Sequence, residues 1–283
     1  MEKTIKKFWP VFVLPTLAAF LIGFVWPFLQ GLYLSFCKFI TINKADWNGL
    51  NNYIFALTDP EFLHSFWFTA LFTVVSTVCI NLAAFAIALA LTRAIKGTNL
   101  FRSVYFMPNL IGGIVLGYIW QILLNCALTL LGKPLLSLHA PYGFLGLVIL
   151  MCWQQIGYMM IIYIAGLQSI PNDYLEAARI DGASERQILW KIKIPNVMPS
   201  ITICLFLSLT NGFKLFDQNL ALTGGEPGHL TEMLALNIYN TFYGRSGAVW
   251  KGYGQAKAVV FCVLVIVISL IQLRATRSKE VQQ

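Results

Sequence analysis

The side chains of this sequence that could do chemistry are few, and most of them are neutral. Within long apolar stretches stand Gln154, Gln155 and Tyr158, and later Ser208, Thr210 and Asn211. Amides and hydroxyls both donate and accept hydrogen bonds, and a tyrosine ring can cover an apolar face. Together they suit a neutral, hydroxyl-rich molecule such as a sugar. Ser208 and Asn211 are three residues apart and would share a helical face. The same groups would serve equally well as bonds between neighbouring helices, and the residues alone leave both uses open. Acid–base, metal and nucleophilic chemistry have less to draw on. His64, His139 and His229 are scattered, and Cys37, Cys79, Cys126, Cys152, Cys204 and Cys262 form no C-x-x-C or Cys/His spacing. No metal site is expected from them, and the cysteines read as small buried hydrophobes. Nor is there a G-x-x-x-x-G-K-[ST] phosphate loop, because Gly132-Lys133 runs into Pro134. The chain is not expected to be an enzyme.

The stretches that must position these groups are built for lipid. Hydrophobic residues make up 58% of the 283 and charged residues only 11%, against about a quarter charged in an average soluble domain. About 20 apolar residues span a bilayer as a helix. The uncharged runs predict an all-α polytopic membrane protein in a single transmembrane domain, 1–283, with six helices near 10–36, 66–92, 104–125, 143–168, 197–221 and 254–274. The first run is too long and too aromatic for a cleaved leader, whose apolar core is roughly 7–15 residues.

Lysine and arginine set the sidedness. Lys3, Lys6 and Lys7 precede the first run; Arg93, Lys96 and Arg102 follow the second; Arg179, Arg186, Lys191 and Lys193 follow the fourth; Arg274, Arg277 and Lys279 close the chain. All would be cytoplasmic with both termini inside. The formal charge of +8 is thus spread over the ends of apolar runs, which argues against a nucleic-acid interface. Lys214 and Asp217, three apart, read as a local ion pair. Lys257, about 24 Å of helix outward from Arg274, is expected to snorkel to the outer interface.

Between the fourth and fifth runs, residues 169–195 describe a compact helix–turn–helix outside the membrane. Pro171 suits a first helical turn, and Asn172 and Asp173 favour its dipole. Glu176, Ala177 and Ala178 continue the helix, and Gly182 lets the chain turn. Ser184 can cap a second short helix that ends at Pro195. The small residues Ala177, Ala178 and Ala183 would let another protein surface approach closely. On physical grounds alone, a tight connector of no special purpose accounts for the segment equally well.

Glu176-Ala177-Ala178, Asp181-Gly182-Ala183 and Ile192-Lys193-Ile194-Pro195 resemble the EAA loop of binding-protein-dependent ABC importer permeases, whose pattern is E-A-A, D-G-A, I-x-L-P. Ile194 stands in the usual Leu place. Phe213-Lys214-Leu215-Phe216-Asp217 and Leu222-Thr223-Gly224-Gly225-Glu226-Pro227 are similar to the F-K-x-F-D and L-T-G-G-x-P signature of carbohydrate-type permeases, the class of the maltose system's larger membrane subunit. Gly252-Tyr253-Gly254-Gln255-Ala256 resembles the family's G-Y-x-x-A before the last span.

The resemblance implies a type I ABC importer permease fold. It also implies that the loop is a coupling helix, with Glu176, Ala177, Ala178, Asp181, Gly182, Ala183, Ile194 and Pro195 docking on a separate ATPase that binds ATP and magnesium. The expected partners are a second, different permease, two ATPase subunits, an external solute-binding protein, membrane lipid and a small-molecule sugar. In the family the fourth and fifth spans line the solute path, which here would place Gln154, Gln155, Tyr158, Ser208 and Asn211 along it. An aromatic at Tyr158 matches the maltose-type pattern; Gln154 and Gln155 depart from it. Related permeases also carry glycerol-phosphate solutes. Two other classes compete. An ion-coupled secondary transporter would want an acidic or histidine relay at mid-depth, and a lipid-modifying enzyme would want a convergent Ser/His or His/Asp set. Neither set is evident.

Overall fold

A computed structural model describes residues 2–93 and 97–277. Lys96 and Lys279, two of the charges used for sidedness, lie outside the described residues. The chain divides into two compact units, Met1–Asp59 with Ile238–Cys262, and Pro60–Asn237 with Val263–Gln283. Among the described residues, five helices are long and apolar enough to cross a membrane, and a bent pair makes a sixth candidate. Helices are the only open-ended way to satisfy every backbone group in lipid.

In the first unit, α1 (Glu2–Phe20) continues through a π turn, Leu21–Val25, into α2 (Trp26–Leu34). A hairpin follows, β1 (Cys37–Thr41) with antiparallel β2 (Lys44–Trp47), and then α3 (Asn51–Thr58). Fully buried Asn52 ties this corner together, its Nδ2 donating to the carbonyls of Ser35 and Cys37 at 2.8 and 2.9 Å. The hairpin and α3 were not legible as elements in the sequence. Lys257 does not snorkel. It is fully buried, and its Nζ lies 2.6 Å from Asp59 Oδ2 and donates to Thr241 Oγ1 at 2.9 Å. A carboxylate supplied by the turn after α3 makes burial of the ammonium tolerable.

The second unit is a bundle around α4 (Pro60–Leu91), α7 (Ala140–Gln168) and α11 (Met198–Phe213). Phe72, Ile80, Leu147, Leu150, Met159 and Met160 fill its core. Between these apolar side chains, the buried face of α4 also carries small polar ones, among them Ser65, Thr69, Thr73 and Ser76, together with Asn81. Small side chains let membrane helices approach, and hydroxyls and amides join them. Asn81 Nδ2 donates to Ser208 Oγ at 3.0 Å, and Tyr163 donates to Asn81 Oδ1 at 2.6 Å. Gly157 of α7 allows a similar approach; a Cβ there would stand 1.8 Å from the Tyr105 carbonyl oxygen.

Three spans differ from expectation. The third is divided into α5 (Thr98–Phe106), a 3-10 turn at Met107–Leu110 and α6 (Gly113–Leu130). Pro108, which lacks an amide donor, sits in that turn. The fifth stops at Phe213, and after Lys214–Phe216 the chain resumes as α12 (Asp217–Leu222); Asn211 and Gly212, poor helix formers, precede the break. The last helix, α14 (Ala248–Arg277), starts earlier than its uncharged run. Its two lysines are accommodated, Lys257 by Asp59 and Lys251 by the Ile40 carbonyl at 3.0 Å. One further helix, α13 (Leu234–Tyr243), precedes it.

Candidate functional site

Two places in the second unit concentrate the candidate residues. The first is the loop between α7 and α11. Its opening helix, α8 (Asn172–Ile180), begins after Pro171 and ends in a left-handed residue, Gly182, at φ +78°. Ala183 N–H donates to the Ala178 carbonyl and Gly182 N–H to that of Arg179, at 2.9 and 3.1 Å. This is a Schellman closure, which a residue with a Cβ adopts only at a cost. Ser184 then caps α9 (Glu185–Ile188) in a reciprocal box with Gln187.

A π turn at Leu189–Lys193 leads into α10 (Ile194–Asn196). Pro195 does not end this limb as expected; it lies in the first turn of α10, where a missing amide costs nothing, and the joint falls at Val197. There the path bends by 68° into α11. Glu176, Ala177, Asp181 and Gly182 are exposed, whereas Ala178, Ala183, Ile194 and Pro195 are half-buried. The loop also exposes large side chains that sequence reasoning did not single out: Tyr174 at 57%, Ile180 at 86% and Trp190 at 61%.

The second place is a cavity of about 270 Å³ where α7, α11, the break and α12 meet. Gln155 and Asn211 line it, joined by a 3.4 Å hydrogen bond from Asn211 Nδ2 to Gln155 Oε1. Lys214, Asp217 and Gln218 complete its polar wall. Lys214 and Asp217 are not the ion pair their spacing suggested; among the described residues no salt bridge joins them, and both are exposed to the cavity. The interruption at 214–216 takes them off a common helical face. The other candidates lie elsewhere. Ser208 is buried in the Asn81 network, and Tyr158 is half-buried with its ring 6.5 Å from that of Phe106. Gln154 is only 5% exposed and sits behind the wall, bonded to Ile111 and Gln218. Chemically, the cavity offers amides, one cation and one anion for reversible hydrogen bonding. Two charges at the end of an uncharged run were the available signal for Lys214 and Asp217.

Residues 84–279 match a family described as binding-protein-dependent transport system inner membrane component. The chain belongs to that family. As a whole, this inner membrane component is 42% identical over 281 residues to a probable starch degradation products transport system permease protein, AmyD, of Thermoanaerobacterium thermosulfurigenes, covering 96% of this chain and 94% of that one. It is 31% identical to the multiple sugar-binding transport system permease protein MsmF of Streptococcus mutans serotype c, covering 99% of each. Its fold is that of a subunit in a crystal structure of a bacterial ABC transporter involved in the import of the acidic polysaccharide alginate, with a TM-score of 0.83, 19% identity and 98% of both chains covered. The permease therefore has the type I importer fold expected from its loop.

Proposed function

We propose that this permease forms half of the translocation path of an ATP-binding cassette importer for a neutral sugar or oligosaccharide. The loop from α8 to α10 docks on a separate ATPase subunit, which holds ATP and magnesium. A second, different permease supplies the other half of the path, two ATPase subunits drive it, and an external solute-binding protein delivers the sugar. Transport follows alternating access: closure of the ATPases moves both coupling loops and reorients the cavity. The starch- and sugar-system relatives support the solute class. So does a cavity wall of amides, in which the single charges of Lys214 and Asp217 offset one another.

The observation that carries the reading is the loop itself. A helix of nine residues, closed at its C-terminal end by Gly182, holds exposed Tyr174 and Ile180 around exposed Glu176. A mere connector has no use for such a surface. The test is solute-stimulated ATP hydrolysis by the complete complex in proteoliposomes. Glu176→Lys reverses the charge of the docking face, and Gly182→Val forces a β-branched residue to φ +78°, at a cost of at least about 1–2 kcal/mol. Both should abolish stimulation while the complex remains assembled. Normal stimulation in both variants would show that the loop is not the docking element.

A further inference from the structure

The amides of Gln154 and Gln218 form a chain whose direction is set by the backbone. Gln154, 5% exposed, donates from Nε2 to the Ile111 carbonyl at 3.3 Å. A carbonyl only accepts, so the amide group of Gln154 must turn its NH2 that way. Its Oε1 then faces Gln218, which must present its own NH2, and that bond is 2.7 Å long. The remaining atom, Gln218 Oε1, has no partner among the described residues, and Gln218 lines the cavity.

From this order of donors and acceptors we infer that Gln154 is a positioning residue for solute recognition. It holds Gln218 with its oxygen as an acceptor toward the cavity. Beside it stands Asp217, also an acceptor, on the same short helix α12. Six residues are too few to hold a helix in place alone, and α12 is pinned by Gln121 Nε2, which donates to the Leu222 carbonyl at 3.0 Å. The wall formed by α12 thus faces the solute as a pair of acceptors, while Lys214 across the break supplies the donor. Such a wall selects a solute that donates from adjacent hydroxyls. It penalises one whose anionic oxygens would meet the two acceptors, since a buried acceptor facing another is left unsatisfied.

The inference rests on the reading of the cavity as part of the solute path, and the experiment separates the two. The complete complex is reconstituted, and uptake is measured with tritiated glucose, sucrose, raffinose and malto-oligosaccharides of two to seven units. Uptake kinetics of the best-transported sugar are then compared among variants. Gln154→Leu frees the Gln218 amide to flip and should raise KM about tenfold, with maximal rate within about twofold. Gln218→Glu alone sets two acceptors against each other at the 2.7 Å contact and should also raise KM. The double variant Gln154→Leu/Gln218→Glu should restore KM toward wild type, because a carboxylate presents an oxygen to the cavity whichever way it turns. A loss of packing alone would not be rescued in this way. An additive double variant, or an unchanged KM in Gln154→Leu, overturns the inference if Asn211→Leu in the cavity raises KM. If Asn211→Leu is silent, or wild type takes up none of these sugars, the underlying reading fails and the inference falls with it.

Discussion

Replacing Asp59 by Asn tests the most concentrated electrostatic feature of the first unit. Lys257 has no solvent exposure, Asp59 has 8%, and Nζ and Oδ2 are 2.6 Å apart. At that separation the gross attraction is about 6 kcal/mol for an effective dielectric constant of about 20. Desolvation of both ions consumes much of it, so the pair adds little compared with apolar residues of the same size, yet removing one partner costs about 3–5 kcal/mol. The two single variants should differ. Asp59→Asn removes the carboxylate 2.6 Å from an ammonium that has no solvent exposure, so the cost should lie within that range. Lys257→Met leaves a carboxylate that still reaches water, and the cost should fall at the lower end of that range, about 3 kcal/mol. Asp59→Leu/Lys257→Met should recover most of the loss. The assay is thermal unfolding of the purified permease in detergent, where Asp59→Asn is expected to lower Tm by roughly 10 °C or more. An unshifted Asp59→Asn, or a double variant as unstable as that single one, would refute the claim that the pair is buried and mutually dependent.

Other perturbations give sharper local readouts. Gly157→Ala places a methyl 1.8 Å from the Tyr105 carbonyl oxygen; α5 must retreat by roughly 1.5 Å to reach contact distance, and thermal unfolding should show a loss of about 2–3 kcal/mol. Asn81→Leu deprives both Tyr163 and Ser208 of a buried partner. It should cost about 1–2 kcal/mol in the same assay, and Asn81→Leu combined with Tyr163→Phe should cost less than the sum of the two single changes. Ser184→Ala removes the hydroxyl that accepts from Gln187 N–H, while the backbone N–H of residue 184 can still donate to Gln187 Oε1. Amide exchange of residues 185–188 should accelerate by about fivefold, equivalent to a loss of about 1 kcal/mol, with α11 unaffected.

The sequence made the bundle and the loop legible because each is a local affair. Uncharged runs report helices directly, and Gly182, Ser184 and Gln187 carry the closure of α8 and the cap of α9 within a few residues of one another. Where distant parts meet, the same reading had less purchase. Lys257 reads as an outlying charge until Asp59, 198 positions away, is placed beside it. Gln154 and Gln155 are neighbours of one residue type; only the fold sends one behind the cavity wall and the other into the cavity. Ser208 and Asn211 share helical spacing, but Asn81 claims the first, and the interruption after Phe213 opens space beside the second. The break at Met107–Leu110 sits inside an uncharged run, so hydropathy could not mark it, whereas the one at Lys214–Phe216 coincides with the charges that end the fifth run.

The 68° joint at Val197 gives the permease the geometry of a bell crank. A thrust along the axis of the α9–α10 arm arrives at α11 directed mostly across that helix instead of down its length. Membrane helices slide poorly when their side chains interlock but tilt readily about one end, so a short stroke outside the bilayer would emerge as a sideways swing at the cavity wall. A straight connection through Val197 would turn the same stroke into a piston movement, and the far end of α11 would rise without opening anything.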